Sequence, residues 1–377
     1  PPSVSIAVHV WPGILGRWGS AALPCGGTRS PPAGLTAVHS PFFLSWIPGS
    51  ARFVSLGAYA RNTGCFQVWQ LDGTALKKCL EKELPHALKC GTFGASSLSA
   101  PEIATGDFAG RLAIYDTERG EATYTAQAHN SIVNSIDGAG GPIAGYGAPE
   151  VVTGGRDGRV CVWDPRQEDA PVASFEPAGA GDARDCWAVA FGNSYNDDER
   201  SVLAGYDNGD VKLFDLRTNA VRWETNVRNG VCGVQFDRQD IKMNKFVATC
   251  LEAQFHVFDA RTLHKEKGFS SLTEQTKKGS TVWGVRHLPQ NREVSMVLGG
   301  DGTVSLYKYH YPDQRQVKTE DNEPMGVVGS MDLLCSKEIS SQPVACFDWS
   351  PDKEGLCCMG SFDQTIRVGF VTKLNKV

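Results

Sequence analysis

Several features that mark whole functional classes are missing from this sequence. No run reaches the roughly 18 apolar residues a spanning helix needs, because Pro, Gly or charge cuts every candidate within about ten residues. Lys+Arg 37 against Asp+Glu 42 leaves a formal charge of -5, which argues against a general electrostatic grip on nucleic acid or anionic lipid. Neither nucleic acid nor membrane is expected as a partner. Val4 to Val10 lacks the basic flank of a signal peptide and is followed by Pro12 and Pro24, so secretion is not expected. None of the 12 Cys has C-x-x-C spacing, and Cys161, Cys186, Cys232, Cys250 and Cys346 sit inside apolar strand patterns, as buried reduced thiols of a cytosolic protein would. The 8 His lack i, i+4 pairing or Cys neighbours, which gives no metal site. Gly138 to Gly147 lacks the Lys-Ser/Thr of a phosphate cradle and precedes no helical pattern, so it is expected to join two strands. Nucleophile elbows are absent too. No catalytic residue, cofactor or metal is expected, and the chain is not expected to be an enzyme.

What remains is a globular chain, 41% hydrophobic with 41 Gly and 20 Pro among 377 residues, which favours many short strands separated by turns. One pattern recurs: a short apolar run, Gly, a turn with Asp, then an alternating strand ending in an aromatic and usually Asp. The clearest copy is Val151 to Asp164; others are Ile103 to Asp116, Val202 to Asp215, Phe246 to Asp259 and Met296 to Lys308, with weaker ones ending at Trp69 and Val368. The closing aromatics Trp69, Tyr115, Trp163, Phe214, Phe258 and Tyr307 recur every 44 to 51 residues, the length of a four-stranded sheet module. About seven units predict an all-β, seven-bladed β-propeller.

A second pattern precedes each copy, apolar-x-x-apolar-x-aromatic, as in Val231, Val234, Phe236 and Val282, Val285, His287. Its irregular first step predicts a bulged inner strand whose two extra residues face a loop end, the residue after the first apolar position pointing toward the top rim. Trp187 and Trp283 occupy that position, and exposed aromatics beside a channel are typical protein-binding anchors. Tyr206 and Phe108, in strand-joining turns, are expected beside them, with Arg184 and Arg286 making the rim partly polar.

His129 before a strand, the Gly-rich turn and Trp163-Asp164 resemble the WD-repeat family of β-propellers. The resemblance implies that His129, Thr153, Asp157 and Trp163 form the family's internal hydrogen-bond set. Stretches such as Asp185 to Asn193, Ala204 to Arg217, Asn229 to Asp237, Arg286 to Arg292 and Phe362 to Asn375 resemble a narrower branch, WD-repeat proteins associated with cytoplasmic preassembly of axonemal dynein arms. That resemblance spans more than four-fifths of the chain, from about Phe53 to the C-terminus. It implies a non-catalytic scaffold, monomeric within larger assemblies. Its expected partners are RuvB-like ATPases, PIH-domain, tetratricopeptide and prefoldin-like cochaperone subunits, with dynein heavy chains as clients; a link to apoptosis is implied as well.

Residues 41–377 are expected to form the propeller. Residues 1–40 do not share the resemblance and are expected to be poorly ordered; starting at Pro1 rather than Met suggests an altered gene model or a fragment. A ring closes when a strand from one terminus pairs into the blade of the other. Val4 to Val10 and Leu35 to Val38 are the two candidates for that strand. Finally, Arg166, Arg217 and Arg261 each follow an Asp by two residues after a closing strand. The local explanation is pairing with that Asp or capping of the turn. The alternative is that they resemble W-D-x-R boxes of substrate receptors of cullin-4 ubiquitin ligases. The charged, Pro-bounded stretch Tyr311 to Glu323 is expected to be a solvated loop.

Overall fold

A computed structural model describes residues 4–9, 35–36, 39–73, 75–141, 146–167, 170–177, 179, 183–196, 198–277 and 279–376. Strands run where apolar residues alternate between turn residues, and they assemble into seven antiparallel sheets. The first blade is typical: Ser40–Trp46, Arg52–Ala58, Gly64–Asp72 and Ala75–Leu84, paired in chain order from inside outward. The inner strands of blades 2 to 7 are Leu88–Thr92, Val133–Ala139, Cys186–Gly192, Val231–Phe236, Val282–Leu288 and Val344–Trp349. Each inner strand contacts the next, and that of blade 7 contacts that of blade 1. The chain is a closed seven-bladed β-propeller.

Position within a blade explains the residue pattern. A second strand is covered by a neighbouring blade on both faces, so Ser201–Tyr206 is buried at all six positions. The outermost strand of the same blade, Ala220–Asn226, faces solvent at the perimeter and buries none of its residues. Core clusters accordingly lie between blades; one joins Leu203 and Leu213 of blade 4 to Phe236 and Phe246 of blade 5.

Closure uses the N-terminal segment. Ser5–His9 pairs antiparallel with Thr365–Thr372 as the outermost strand of blade 7. Val4 and Ile6 are buried against Val371 and Leu374, and Lys337 of blade 6 donates to the Ile6 carbonyl at 2.8 Å. Leu35–Thr36 pairs with Ile366 and Thr365 of the same strand. The two stretches are therefore not alternatives, because each occupies a different length of one edge. The expectation of poor order over 1–3, 10–34, 37 and 38 lies outside the described residues.

Tyr311 to Glu323 is solvated only in part: Asp313, Gln314, Gln316, Lys318 and 320–322 are exposed, whereas Arg315 and Val317 are half-buried. Gln316–Lys318 and Pro324–Gly326 form a hairpin inserted before the last strand of blade 6, in contact with Gln254–His264 of blade 5. Arg315 holds it there: its guanidinium bonds Asn244 Oδ1 at 2.7 Å, pairs with Asp259 and lies 4.8 Å from the Tyr311 ring centroid. A charged side chain can leave water when a carboxylate, an amide oxygen and an aromatic face replace it.

Candidate functional site

In blade 3 the structure brings together the four residues named from the family pattern. His129 Nδ1 lies 2.9 Å from Asp157 Oδ1 and Nε2 lies 2.9 Å from Thr153 Oγ1. Trp163 Nε1 donates to the same hydroxyl at 3.2 Å, and Asp157 also accepts from Asn130 N–H at 3.0 Å. Burial works against ionised Asp157, but these hydrogen bonds outweigh it and leave its pKa below the ordinary value. Gly155 is required for contact: a Cβ there would lie 2.2 Å from His129 Nδ1. The set is structural, fixing the turn of one blade. Blade 1 keeps half of it, His39 Nε2 to Ser55 Oγ at 2.9 Å.

All seven inner strands shift register near their start, at the second position in six of them and at the third in blade 1. The extra residues are Phe42, Lys89, Asn134, Trp187, Cys232, Trp283 and Ala345, and all of them line one central cavity of about 730 Å³. The bulges thus build a collar at the end of the channel where the inner strands begin. Loop residues widen it: Phe108 packs 5.7 Å from Phe42, and Phe362 packs 5.5 Å from Trp283, centroid to centroid. Phe362 and Leu251 remain 38% and 39% exposed, leaving an apolar rim on six blades. Below the collar come mainly small residues, Cys90, Ser135, Ala188, Gly233, Gly284 and Cys346, with Phe43 the one large member. Two residues deeper, Ser45, Thr92, Asp137, Ala190, Gln235, Arg286 and Asp348 form a polar layer.

That layer solves a hydrogen-bonding problem, since each inner strand turns an unpaired edge to the channel. Asp137 accepts from Phe191 N–H of the next blade at 2.8 Å, Gln235 from His287 N–H at 2.8 Å, and Asp348 from Trp46 N–H at 2.9 Å and Ser45 Oγ at 2.8 Å. The same strand position of blades 3, 5 and 7 therefore clasps the following blade. Desolvation pushes both Asp137 and Asp348 up to about 6, although hydrogen bonds and Arg286 oppose the shift. Sequence reasoning missed these residues. Their signal is the fifth position of the inner strand, counted from the apolar residue before the bulge.

Of the residues expected at the rim, Trp187, Trp283 and Phe108 line the cavity and are half-buried. Tyr206 does not join them. It is the last paired residue of its strand, opposite Cys186, and is 7% exposed within the core between blades 3 and 4. Arg184 is exposed outside the cavity wall, and Arg286 lies in the deep layer rather than beside Trp283 at the mouth. At the other rim, Asp164, Asp215 and Asp259 each accept the backbone N–H two residues on, that of Arg166, Arg217 and Arg261, at 2.9 Å. Arg166 also folds back onto Asp164, with Nη2 2.8 Å from Oδ2; Arg217 approaches Asp215 at 3.7 Å, and Arg261 is exposed. The Asp-x-Arg motif is thus first a turn cap.

Among the described residues no group of three or more His, Cys, Asp or Glu is placed to hold a metal. No described helix is long and apolar enough to cross a membrane.

The WD domain, G-beta repeat family model matches residues 120–164, which run from the end of blade 2 through the third strand of blade 3. The chain is 66% identical over 333 residues to dynein axonemal assembly factor 10 of Chlamydomonas reinhardtii, covering 88% of this chain and 93% of that protein. It is 57% identical to the Xenopus tropicalis and 56% identical to the Homo sapiens protein of that name, over 90% of this chain and 95% of each relative. With its ring of seven sheets, six of four strands and the closing one of five, and this identity over most of its length, the chain belongs to the dynein axonemal assembly factor 10 family of WD-repeat propellers.

Proposed function

We propose that this chain is a non-catalytic scaffold in the cytoplasmic preassembly of axonemal dynein arms. The observation that carries the proposal is the 56–66% identity, over nine-tenths of the chain, to relatives named as dynein axonemal assembly factors. The physical support is a closed ring that offers an aromatic collar at one end of its channel. A rigid surface binds without an ordering cost, so it can hold two proteins at a fixed separation. Partners proposed from family resemblance are a cochaperone assembly of RuvB-like ATPases with PIH-domain, tetratricopeptide and prefoldin-like subunits, and dynein heavy chains as clients. Trp187 and Trp283 are the proposed anchors, because half-buried indoles in a concave mouth are favoured hot-spot residues.

Affinity purification with mass spectrometry from ciliated cells tests this, comparing the unaltered chain with Trp187→Ala and Trp283→Ala. The variants should fold, with thermal midpoints close to the parent, and should lose cochaperone subunits. Unchanged co-purification would reject the collar as the binding surface, and recovery of no dynein-assembly component by the parent would reject the scaffold role.

A further inference from the structure

The central channel has its own chemistry, layered along its depth. The mouth is aromatic, the layer beneath is mostly Gly, Ala, Ser and Cys, and the third layer is charged. The step from the small layer to the charged layer is two strand residues, about 7 Å. Lysine and arginine span such a distance with an apolar stem and a charged head.

The charged layer is one cation short. It holds two carboxylates, Asp137 and Asp348, and one guanidinium, Arg286, and Arg286 acts electrostatically on both carboxylates. Neither Asp has an ion-pair partner within 4.0 Å among the described residues; their bonds go to backbone N–H groups, Ser45 and Gln239. Among the described residues the Arg286 guanidinium bonds the Val285 carbonyl, at 3.0 Å, and pairs with no carboxylate within 4.0 Å. The other cations of the cavity stay at the mouth: Lys89 donates to Asn134 at 3.1 Å, and Arg156 pairs with Asp185 at 3.6 Å.

We propose that the lumen receives one arginine or lysine side chain from an extended segment of a partner protein, the segment's backbone lying at the level of Trp187 and Trp283, the stem in the small-residue layer and the head directed to Asp137 and Asp348. This rests on the collar being the partner-binding face. The incoming cation brings the deep layer to two positive and two negative groups, and the indoles at the mouth favour a cationic ligand over a neutral one. Charge complementarity with a small-residue passage selects one long basic side chain, rather than the aromatic or aliphatic anchor the collar alone would suit.

The full chain is titrated with n-propylguanidinium, n-butylammonium and n-butyrate while the indole N–H resonances of Trp187 and Trp283 are followed by NMR. The cations should bind in the millimolar range expected of so few heavy atoms, and butyrate should not. Asp348→Asn, and separately Asp137→Asn, should weaken cation binding at least about tenfold, with thermal melts reporting whether the ring is intact. Lack of response to either cation in the unaltered chain would overturn the proposal without reference to any variant. Butyrate binding that Arg286→Gln abolishes would overturn it in favour of an acidic ligand. Loss of cochaperone subunits in the Trp variants, with no cation binding, would leave the scaffold role standing and remove only this site.

Discussion

Blade 3 and the seam between blades 5 and 6 hold the ring together by opposite means. Blade 3 uses neutral and singly charged groups from one repeat: His129, Thr153, Asp157 and Trp163 lock its own turn. The seam uses a buried charge. Lys245 and Asp237 are 2% and 0% exposed and 3.0 Å apart, and Lys245 also donates to the Arg292 carbonyl at 2.7 Å and to Tyr311 Oη at 3.3 Å. Its ammonium lies 5.3 and 5.4 Å from the Tyr309 and Tyr311 ring centroids. A local network constrains one turn, whereas the Lys245 ammonium, paired with Asp237 inside blade 5, also reaches two acceptors of blade 6, at the risk of a stranded charge.

Breaking the seam should therefore cost most. Lys245→Met leaves Asp237 buried without its cation and should destabilise the fold by about 3–5 kcal/mol, read as a lowered denaturant midpoint. Adding Asp237→Asn should recover part of that loss, and no recovery would show that packing around Tyr311 matters more than charge. His129→Ala in blade 3 should cost less, about 2 kcal/mol, since Thr153 and Asp157 keep other partners. A larger loss than Lys245→Met would reverse the ranking of the two regions.

A finer comparison sets buried imidazoles against channel carboxylates. Burial lowers His39 to about 4, and burial with Lys245 nearby lowers His287 to about 3, from 6.5. Both stay neutral in the fold, so their contribution is full above pH 6.5 and is lost as the pH falls below it. Asp137 and Asp348 are raised from 3.8 to about 6, so their contribution is full below 3.8 and is lost as the pH rises toward 6. The slopes oppose each other between about pH 4 and 6. The unaltered chain should show a shallow stability profile there, tempered further because the carboxylates keep some area open to the lumen. With Asp137→Asn and Asp348→Asn together, stability should fall on acidification. With His39→Gln and His287→Gln it should rise instead, as thermal melts across this range would show.

The smallest effects belong to the turn arginines. Arg166→Ala, Arg217→Ala and Arg261→Ala should each change stability by less than about 1 kcal/mol, with Arg166 the largest because its side chain returns to Asp164. The backbone caps persist in all three variants. Equal losses at all three positions, seen in thermal melts, would mean that the side chains contribute beyond the turn.

Legibility in the sequence follows the range of each interaction. Trp187 and Trp283 could be placed at the channel mouth because the bulge is written into the spacing of one strand. Tyr206 could not: the last paired residue and the first turn residue look alike in sequence, and only pairing with Cys186 turns its ring into the core. Arg286 stands next to an inner-strand apolar residue like many rim residues, yet strand direction carries it below the collar. Arg315 reads as part of a solvated charged stretch until Asn244 and Asp259 of blade 5 are seen around it.

By itself the sequence determined the repeat, its length and its bulged inner strand, because each depends on residues at fixed separation within one sheet module; the hydrogen-bond set of blade 3 was legible through the resemblance to WD repeats. Tertiary structure alone decided that Asp137, Arg286 and Asp348 share one layer of the channel, that two N-terminal stretches lie along one strand, and that a hairpin of blade 6 is clamped to blade 5. Those arrangements depend on which edges and charges face each other once seven sheets are packed radially, and no local spacing encodes that.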